Sequence, residues 1–500
     1  MLFRSHELVR ERIRAWMARH PEDCAELTEN AVRLAYAERL EAVFDSLLHK
    51  DMTAALQAGS RALVYCVQAE AWDRLGSFAS DLATGTQDPL LLRALLPHLS
   101  AAAAAAPAGR MRWVGLGTLA SAVYNAGQPD ASLPYYELAA AQARAAAEAG
   151  EADARQAWSD FAVIVSNWAA ALLGVGQLDA ARQRLVDSAE AARRAGRPEV
   201  NVVGSELEAL RIDTMQGKAE KALPEVEQRL ARMEGWWRRH RAGKQVAEAP
   251  DPEVLARAYI SALDIAGQAH LALEDWDAAL LRVEAVLEAE HVLNRPAEDI
   301  AATRMNRADL LAKLDRRAEA RTEMEACLGI FQHSPANHSK VLSSLASLAA
   351  AEGDVAQAIS LERRSLAQRE KLPDPRDRAQ SHGNLANHLD RRSTPTDRAE
   401  PARHMLAALV YFLVAGMRQY LQTSLRNYAV DFRRASGAGT EPDIPSVAEL
   451  LADPAFDSVK TWLAQRQVDL GELQTAVDQF LAMARQKATE FSRKPTPPSP

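Results

Sequence analysis

Apolar residues recur along this chain at spacings of three and four, the periodicity of one face of an α-helix. Between residues 113 and 415 the apolar stripes come in pairs that are separated by short turns. The first stripe of a pair has apolar residues at i, i+1 and i+4, and a small residue, usually alanine, stands five positions after the turn. This pattern predicts helix hairpins in which the small residue lets the second helix approach closely.

The hairpin pattern repeats along the chain. Clear copies contain Leu119 with Gly127, Trp168 with Gly176, and Leu345 with Gly353. The predicted turns fall at positions 127, 176, 217, 274, 315, 353 and 393, at intervals of 38 to 57 residues. Glycine is replaced at three of these turns, by Glu274, Asp315 and Ser393. Because a single hairpin cannot bury both of its apolar stripes, neighbouring hairpins are expected to stack on one another.

These segments resemble tetratricopeptide repeats (TPRs), especially the longer, kinesin-light-chain-like variety. The resemblance implies an all-α fold, a right-handed α-solenoid of stacked TPR-like hairpins with a C-terminal helical cap. We divide the chain accordingly into an N-terminal helical segment (1–35), degenerate helical hairpins (36–112), a TPR-like array (113–415), a helical cap (416–491) and a disordered tail (492–500). The first segment is a candidate junction to an NTPase module that is lost or supplied in trans.

Composition agrees with a helical, soluble chain. Of the 500 residues, 48% are hydrophobic and 25% charged, and there are only 23 glycines and 23 prolines. The net charge of −8 argues against a general attraction to nucleic acid or to anionic membranes. The longest apolar run, residues 405–417, is shorter than the roughly 18 residues that a membrane-spanning helix needs. With no apolar signal segment at the start, we expect a cytoplasmic protein.

The chemistry of an enzyme is not recognisable in the sequence. There is no GxxxxGK[ST] phosphate loop, no GxGxxG after a strand, and no HExxH or GxSxG motif. Cys24, Cys66 and Cys327 form no CxxC pair and are interpreted as buried thiols in a reducing compartment. The histidine pairs 333/338 and 382/388 lack the i, i+3 or i+4 spacing of two ligands on one helix face. We therefore expect no enzyme activity, no cofactor and no metal.

Asparagines recur on the first helices of the hairpins. Asn167, Asn306 and Asn384 each stand one residue before the leading position of a repeat, and Asn387 lies three residues further on. The TPR resemblance implies that such positions face a concave groove, where an amide can bond a bound peptide's backbone as donor and acceptor. The alternative is that these amides bond neighbouring helices. The resemblance does not extend to the lysines of the carboxylate clamp in chaperone-binding TPR domains, where Ser343 and Gly383 stand instead.

A second candidate binding site is the segment GWWRRHR. It combines two aromatic rings with three arginines, a composition typical of protein-docking hot spots; stacking on nucleic acid is a weaker alternative. The structural alternative is that both rings cover a neighbouring repeat while the basic residues favour a helix C-terminus. The residues of this patch are Trp236, Trp237, Arg238, Arg239 and Arg241.

The predicted function is a non-enzymatic scaffold or sensor that binds a protein or peptide in its groove, without nucleic-acid or membrane partners. The segment FRSHELVRERIRAWMARHPED resembles the junction at which bacterial STAND/NACHT-type signalling NTPases pass into repeat arrays. That resemblance implies a sensor in a signalling or defence system, with an NTPase or effector in trans. A regulatory partner of a CHAT-type protease, a peptide-sensing regulator and an unrecognised enzyme remain alternatives, and the oligomeric state is open.

Overall fold

The computed structural model describes residues 28–48, 50–85, 89–150, 153–372, 374–392, 398–437 and 442–493, with a few positions between 12 and 21. All regular elements in this part of the chain are helices. The helices divide into two compact units, residues 1–275 (unit 1) and 276–500 (unit 2). The five segments expected from the sequence are a different division and stay a prediction.

Unit 1 contains eleven described α-helices, and neighbours in sequence pack against each other. Side chains at helix starts explain several boundaries, because Thr28, Asp51 and Asp251 each accept a hydrogen bond from a first-turn N–H. The helices are α1 (Glu29–Leu47), α2 (Met52–Gln68), α3 (Trp72–Gly85), α4 (Pro89–Ala105), α5 (Arg110–Asn125), α6 (Pro129–Glu148), α7 (Ala154–Gly174), α8 (Leu178–Arg194), α9 (Glu199–Met215), α10 (Ala219–Arg241) and α11 (Pro252–Ala272).

Unit 2 likewise contains eleven described α-helices, with short 3₁₀ turns at Phe331–His333 and Pro454–Phe456. The last four helices fall in the segment predicted as the C-terminal cap, which we call the cap region, and within it α19 packs on α22. The helices are α12 (Trp276–Val292), α13 (Ala297–Lys313), α14 (Arg317–Ile330), α15 (Pro335–Ala351), α16 (Val355–Arg369), α17 (Pro375–Arg392), α18 (Ala399–Val414), α19 (Arg418–Gly437), α20 (Val447–Ala452), α21 (Asp457–Gln465) and α22 (Leu470–Arg493).

Six of the seven predicted turn positions have a positive φ angle, and the seventh, Ser393, lies outside the described residues. Glycine supplies this left-handed conformation at four of them, and Glu274 (φ 59°) and Asp315 (φ 60°) adopt it in spite of their side chains. At each turn the N–H of the next residue bonds a carbonyl five positions back, as when Arg316 donates to Leu311. The turn geometry therefore does not depend on glycine.

The small residue five positions after each described turn is buried, as the hairpin pattern predicts. Ala181 in unit 1 and Ala358 in unit 2 both have 0% of their surface exposed. The other members of this set are also buried, with at most 3% of their surface exposed: Ser132, Ala222, Ala279 and Ala320. The cores are therefore built from closely approaching helices. These observations confirm the predicted all-α class and the stacked TPR-like hairpins.

The apolar run at 405–417 lies in and just after α18, where Leu406, Leu409 and Tyr411 are completely buried. Among the described helices, none has the length together with the apolar character that crossing a bilayer requires. Cys66 and Cys327 are buried free thiols. Cys24, most of the N-terminal segment and residues 494–500 of the predicted tail lie outside the described residues.

Candidate partner-binding face

Three first helices of unit 2 carry polar side chains at the same two repeat positions. These helices, α13, α15 and α17, contact one another in that order. The two positions are three residues apart on each helix, so their side chains lie on one side of it. We call the six residues the first-helix face: Asn306 and Asp309 on α13, Ser344 and Ser347 on α15, and Asn384 and Asn387 on α17.

The side chains of the first-helix face differ in how far they are already engaged. The side chains of Asn306 and Asn387 are exposed and make no hydrogen bond to any residue that the structure describes. Ser347 is exposed and donates to the carbonyl of Ser343, one turn earlier on its own helix. Two amides, at the two ends of the face, therefore have their donors and acceptors available to a partner.

Asp309 contributes an exposed carboxyl group to this face. Its side chain reaches solvent, but the surrounding protein atoms raise the pKa of its carboxyl group. A hydrogen bond from Ser344 and the positive charge of Lys313 act in the opposite direction, and burial outweighs them. A carboxylate on this face favours a ligand that supplies a hydrogen-bond donor or a positive charge.

Asn384 is tied to a buried polar network between α15, α16 and α17. Its Nδ2 donates to Ser343 Oγ over 3.0 Å, and that hydroxyl donates to Glu362 Oε2 over 2.8 Å. The other carboxylate oxygen, Oε1, accepts from Ser381 at 2.7 Å. The buried guanidinium of Arg369 donates to Ser381 Oγ and to the Asp377 carbonyl, each at 3.1 Å. One donor of Asn384 therefore serves the helix packing, as the structural alternative for these asparagines expected.

Burial shifts the pKa values of the two ionisable side chains in this network. Glu362 is completely buried, and this burial raises the pKa of its carboxyl group despite the donors around it. Burial likewise lowers the pKa of the Arg369 guanidinium. The two ionic side chains are joined through Ser381, so the network is a structural support beneath the face.

No protein-family model matches this chain, and a search of curated proteins gives no match for it. Its hairpins nonetheless have paired helices, left-handed turns and small residues at the helix crossings. The chain is a TPR-like repeat protein.

Several solved structures are similar to this TPR-like chain. A signal-transduction ATPase with numerous domains (STAND) and a TPR sensor, from Pyrococcus horikoshii, shares 11% identity over 77% of this chain, with a TM-score of 0.47. The chain spans about half of that protein, 54% of its length. The apo form of RapI (10% identity, 88% of this chain and 98% of that one, TM-score 0.46) and yeast Tom70 (10%, 89% and 99%, 0.41) are also similar. Since all three TM-scores are below 0.5, the assignment rests on the hairpins themselves.

Asn167, the candidate in unit 1, has a different setting. It lies exposed on α7 and makes no hydrogen bond to a described residue. The same repeat position is occupied by Thr118 on α5 and by Glu208 on α9, which pairs with Arg211 at 2.7 Å. The row of small polar side chains seen in unit 2 is therefore not repeated around Asn167.

The proposed docking patch keeps only its arginines at the surface. Trp236 and Trp237 are 5% and 7% exposed, and Trp237 stacks on Tyr259 with ring centroids 5.4 Å apart. Arg239 pairs with Glu248 at 3.0 Å, while Arg238 and Arg241 are exposed. Adjacent helix positions point in different directions, so Trp237 contacts Tyr259 on the neighbouring α11, while the guanidinium of Arg232, one turn earlier on α10, lies over the Trp236 ring. No exposed aromatic anchor remains among these five described residues.

Three members of the first-helix face were not singled out from the sequence: Asp309, Ser344 and Ser347. The signal that could have found them is their register, because they occupy the same two TPR-like positions as the asparagines. A prediction based on one residue type, asparagine, does not include them, whereas one based on the position in the repeat does.

Proposed function

We propose that this chain is a non-enzymatic scaffold or sensor that binds a protein or peptide segment along the first-helix face. The observation that carries the proposal is the row of small polar side chains on α13, α15 and α17, with Asn306 and Asn387 exposed at its two ends. Side-chain amides can pair with both the N–H and the C=O of an extended backbone. Such contacts favour an extended polypeptide over a ligand that needs an enclosed cavity.

The test is selection of peptides from a random displayed library on the purified chain, followed by affinity measurement. Peptides that bind at this face should lose roughly tenfold or more in affinity to the double variant Asn306→Ala, Asn387→Ala, since two bonded amides are removed. Gln422→Ala with Gln479→Ala is the matched control, because it removes two exposed amides in the cap region of unit 2. Peptides that bind the wild-type and the asparagine variant equally would refute the proposal.

In its finer form, the proposal makes the chain the sensor or regulatory part of a bacterial, cytoplasmic STAND/NACHT-type signalling or defence system. Its support is the resemblance of residues 3–23 to the junction in those proteins, although most of these residues lie outside the described ones. The alternatives are a regulatory partner of a CHAT-type protease and a peptide-sensing regulator. Co-purification with an NTPase or a protease that is encoded by a neighbouring gene distinguishes these partners. Nucleotide turnover by the chain alone would instead support an enzyme.

A further inference from the structure

A cluster of arginines lines an open depression in unit 2, on the second helix α16 and the end of α17. The depression has a volume of about 430 Å³. It is lined by two apolar residues, Ala356 and Ile359, and by four polar ones: Ser360, Arg363, Arg364 and Arg392. These residues are distinct from the first-helix face, so a ligand here would be a second one.

The charges in this depression are only partly balanced. One carboxylate, Glu400 at the start of α18, accepts from Arg363 over 2.6 Å and from Arg392 over 3.2 Å. Arg364 is exposed and makes no ion pair or hydrogen bond to a described residue. Of the three guanidinium groups that line the depression, two share one carboxylate and the third has none, which leaves a local excess of positive charge on a chain whose net charge is −8.

The geometry also shows which anion fits. Glu400 demonstrates that Arg363 and Arg392 converge on the two oxygens of a single carboxylate. A guanidinium group has five N–H donors in a planar fork that matches carboxylate geometry, so each arginine retains donors for a further carboxylate.

We propose that this arginine depression binds an acidic segment of a partner protein, whose adjacent Asp or Glu carboxylates pair with Arg364 and with the remaining donors of Arg363 and Arg392. The open form of the depression suits a chain that lies across it. Ala356 and Ile359 contact the methylene groups of the acidic side chains. A small multivalent anion such as pyrophosphate shares the charge, but it would leave these two apolar residues uncovered.

The experiment measures binding of a fluorescent hexaglutamate peptide to the full chain at low ionic strength, with hexaglutamine as the uncharged control. Arg364→Glu should weaken hexaglutamate binding by roughly tenfold or more, because it replaces an attraction by a repulsion. Arg144→Glu is the matched control: Arg144 is an exposed arginine on α6 that pairs with Glu148. Its effect should be less than about threefold, the contribution of long-range charge alone.

A second variant tests the site in the opposite direction. Glu400→Gln removes the internal carboxylate that competes for Arg363 and Arg392, so hexaglutamate should bind several-fold more tightly. Glu148→Gln removes the same charge from the exposed pair on α6 and should have little effect.

Three results would overturn the proposal. The first is an equal loss of hexaglutamate affinity in Arg364→Glu and Arg144→Glu, and the second is no gain of affinity in Glu400→Gln. The third is that pyrophosphate binds more tightly than hexaglutamate and displaces it. None of these results bears on the first-helix face, because the asparagine variants are tested with different peptides.

Discussion

Two regions of the molecule use the same hairpin geometry around different interiors. In the α7–α8 hairpin of unit 1, the helices meet through apolar side chains such as Leu172, Ala181 and Leu185. In α15–α17 of unit 2, Ala358 is buried in the same way, but Glu362 and Arg369 are enclosed as well. The difference teaches that small residues at the crossings set the register of a hairpin, whereas the chemistry of the interior can vary. We therefore expect the region with the polar interior to be more sensitive to substitution and to pH.

The largest effect is expected from Glu362→Ala. This change removes one of the two carboxylates, Glu362 and Asp377, that act on the buried guanidinium of Arg369, and it removes the acceptor of two hydroxyl groups. Breaking a buried ionic network in this way costs about 3–5 kcal/mol. Urea unfolding measures the loss, and Glu148→Ala, in an exposed pair on α6, should cost less than about 1 kcal/mol. A similar small loss for both variants would mean that the buried network does not support unit 2.

The hairpins were predictable from the sequence because their signals are local. The periodicity identifies the buried side of each helix, and the spacing from turn to small residue fixes the crossing, as Ala181 and Ala358 show. Even Glu274 and Asp315 were placed correctly at turns, because the surrounding pattern requires a reversal there.

The contacts beneath the face were not predictable, because they join residues far apart in sequence. Asn384 bonds Ser343 across 41 positions, and His382 pairs with His404 across 22. Periodicity says that such residues point inward or outward, but it does not say which side chain on the next helix stands opposite. The two tryptophans at 236–237 show the same limit, since their composition suited docking as well as packing.

Acid should destabilise unit 2 through its buried histidines. His382 and His404 share a hydrogen bond between their Nδ1 atoms, 2.9 Å apart, and Phe456 packs against both rings. Burial lowers the pKa of His404 to about 4, with Arg363 acting in the same direction and Glu400 and Asp453 opposing it. Burial and the neighbouring His404 and Arg378 lower the pKa of His382 as well.

The direction in which stability changes with pH follows from proton uptake. Below a pH of about 6.5 the unfolded chain protonates these imidazoles while the folded chain does not, so stability falls as the pH drops from 6.5 towards 4. For His404 the loss reaches about 3 kcal/mol near pH 4. Urea unfolding at several pH values should show a shallower loss for His404→Phe than for the wild-type, and an unchanged one for the surface control His291→Phe. Equal slopes for all three proteins would contradict the assignment.

Enlarging the small residue at the crossings tests what the two regions have in common. Ala181→Leu and Ala358→Leu should each cost about 1–3 kcal/mol, because the added atoms separate closely packed helices. Ala170→Leu on α7 is the control, since Ala170 is exposed on the same hairpin as Ala181. Melting like that of the wild-type for both crossing variants would show that the repeat register is wrong.

The smallest effects, and of opposite sign, are expected at the turns of unit 2. Asp315 has a φ of 60°, a left-handed conformation that costs a residue with a side chain about 1–2 kcal/mol, so Asp315→Gly should raise stability by up to about 1 kcal/mol. Gly353 has a φ of 90°, and a Cβ added there would meet no atom within 4 Å. Gly353→Ala should therefore lower stability by about 1 kcal/mol through backbone strain alone. Thermal unfolding measures both changes. If the two substitutions shift stability in the same direction, contacts of the side chains outweigh the backbone conformation at these turns, and the common turn geometry does not determine their stability.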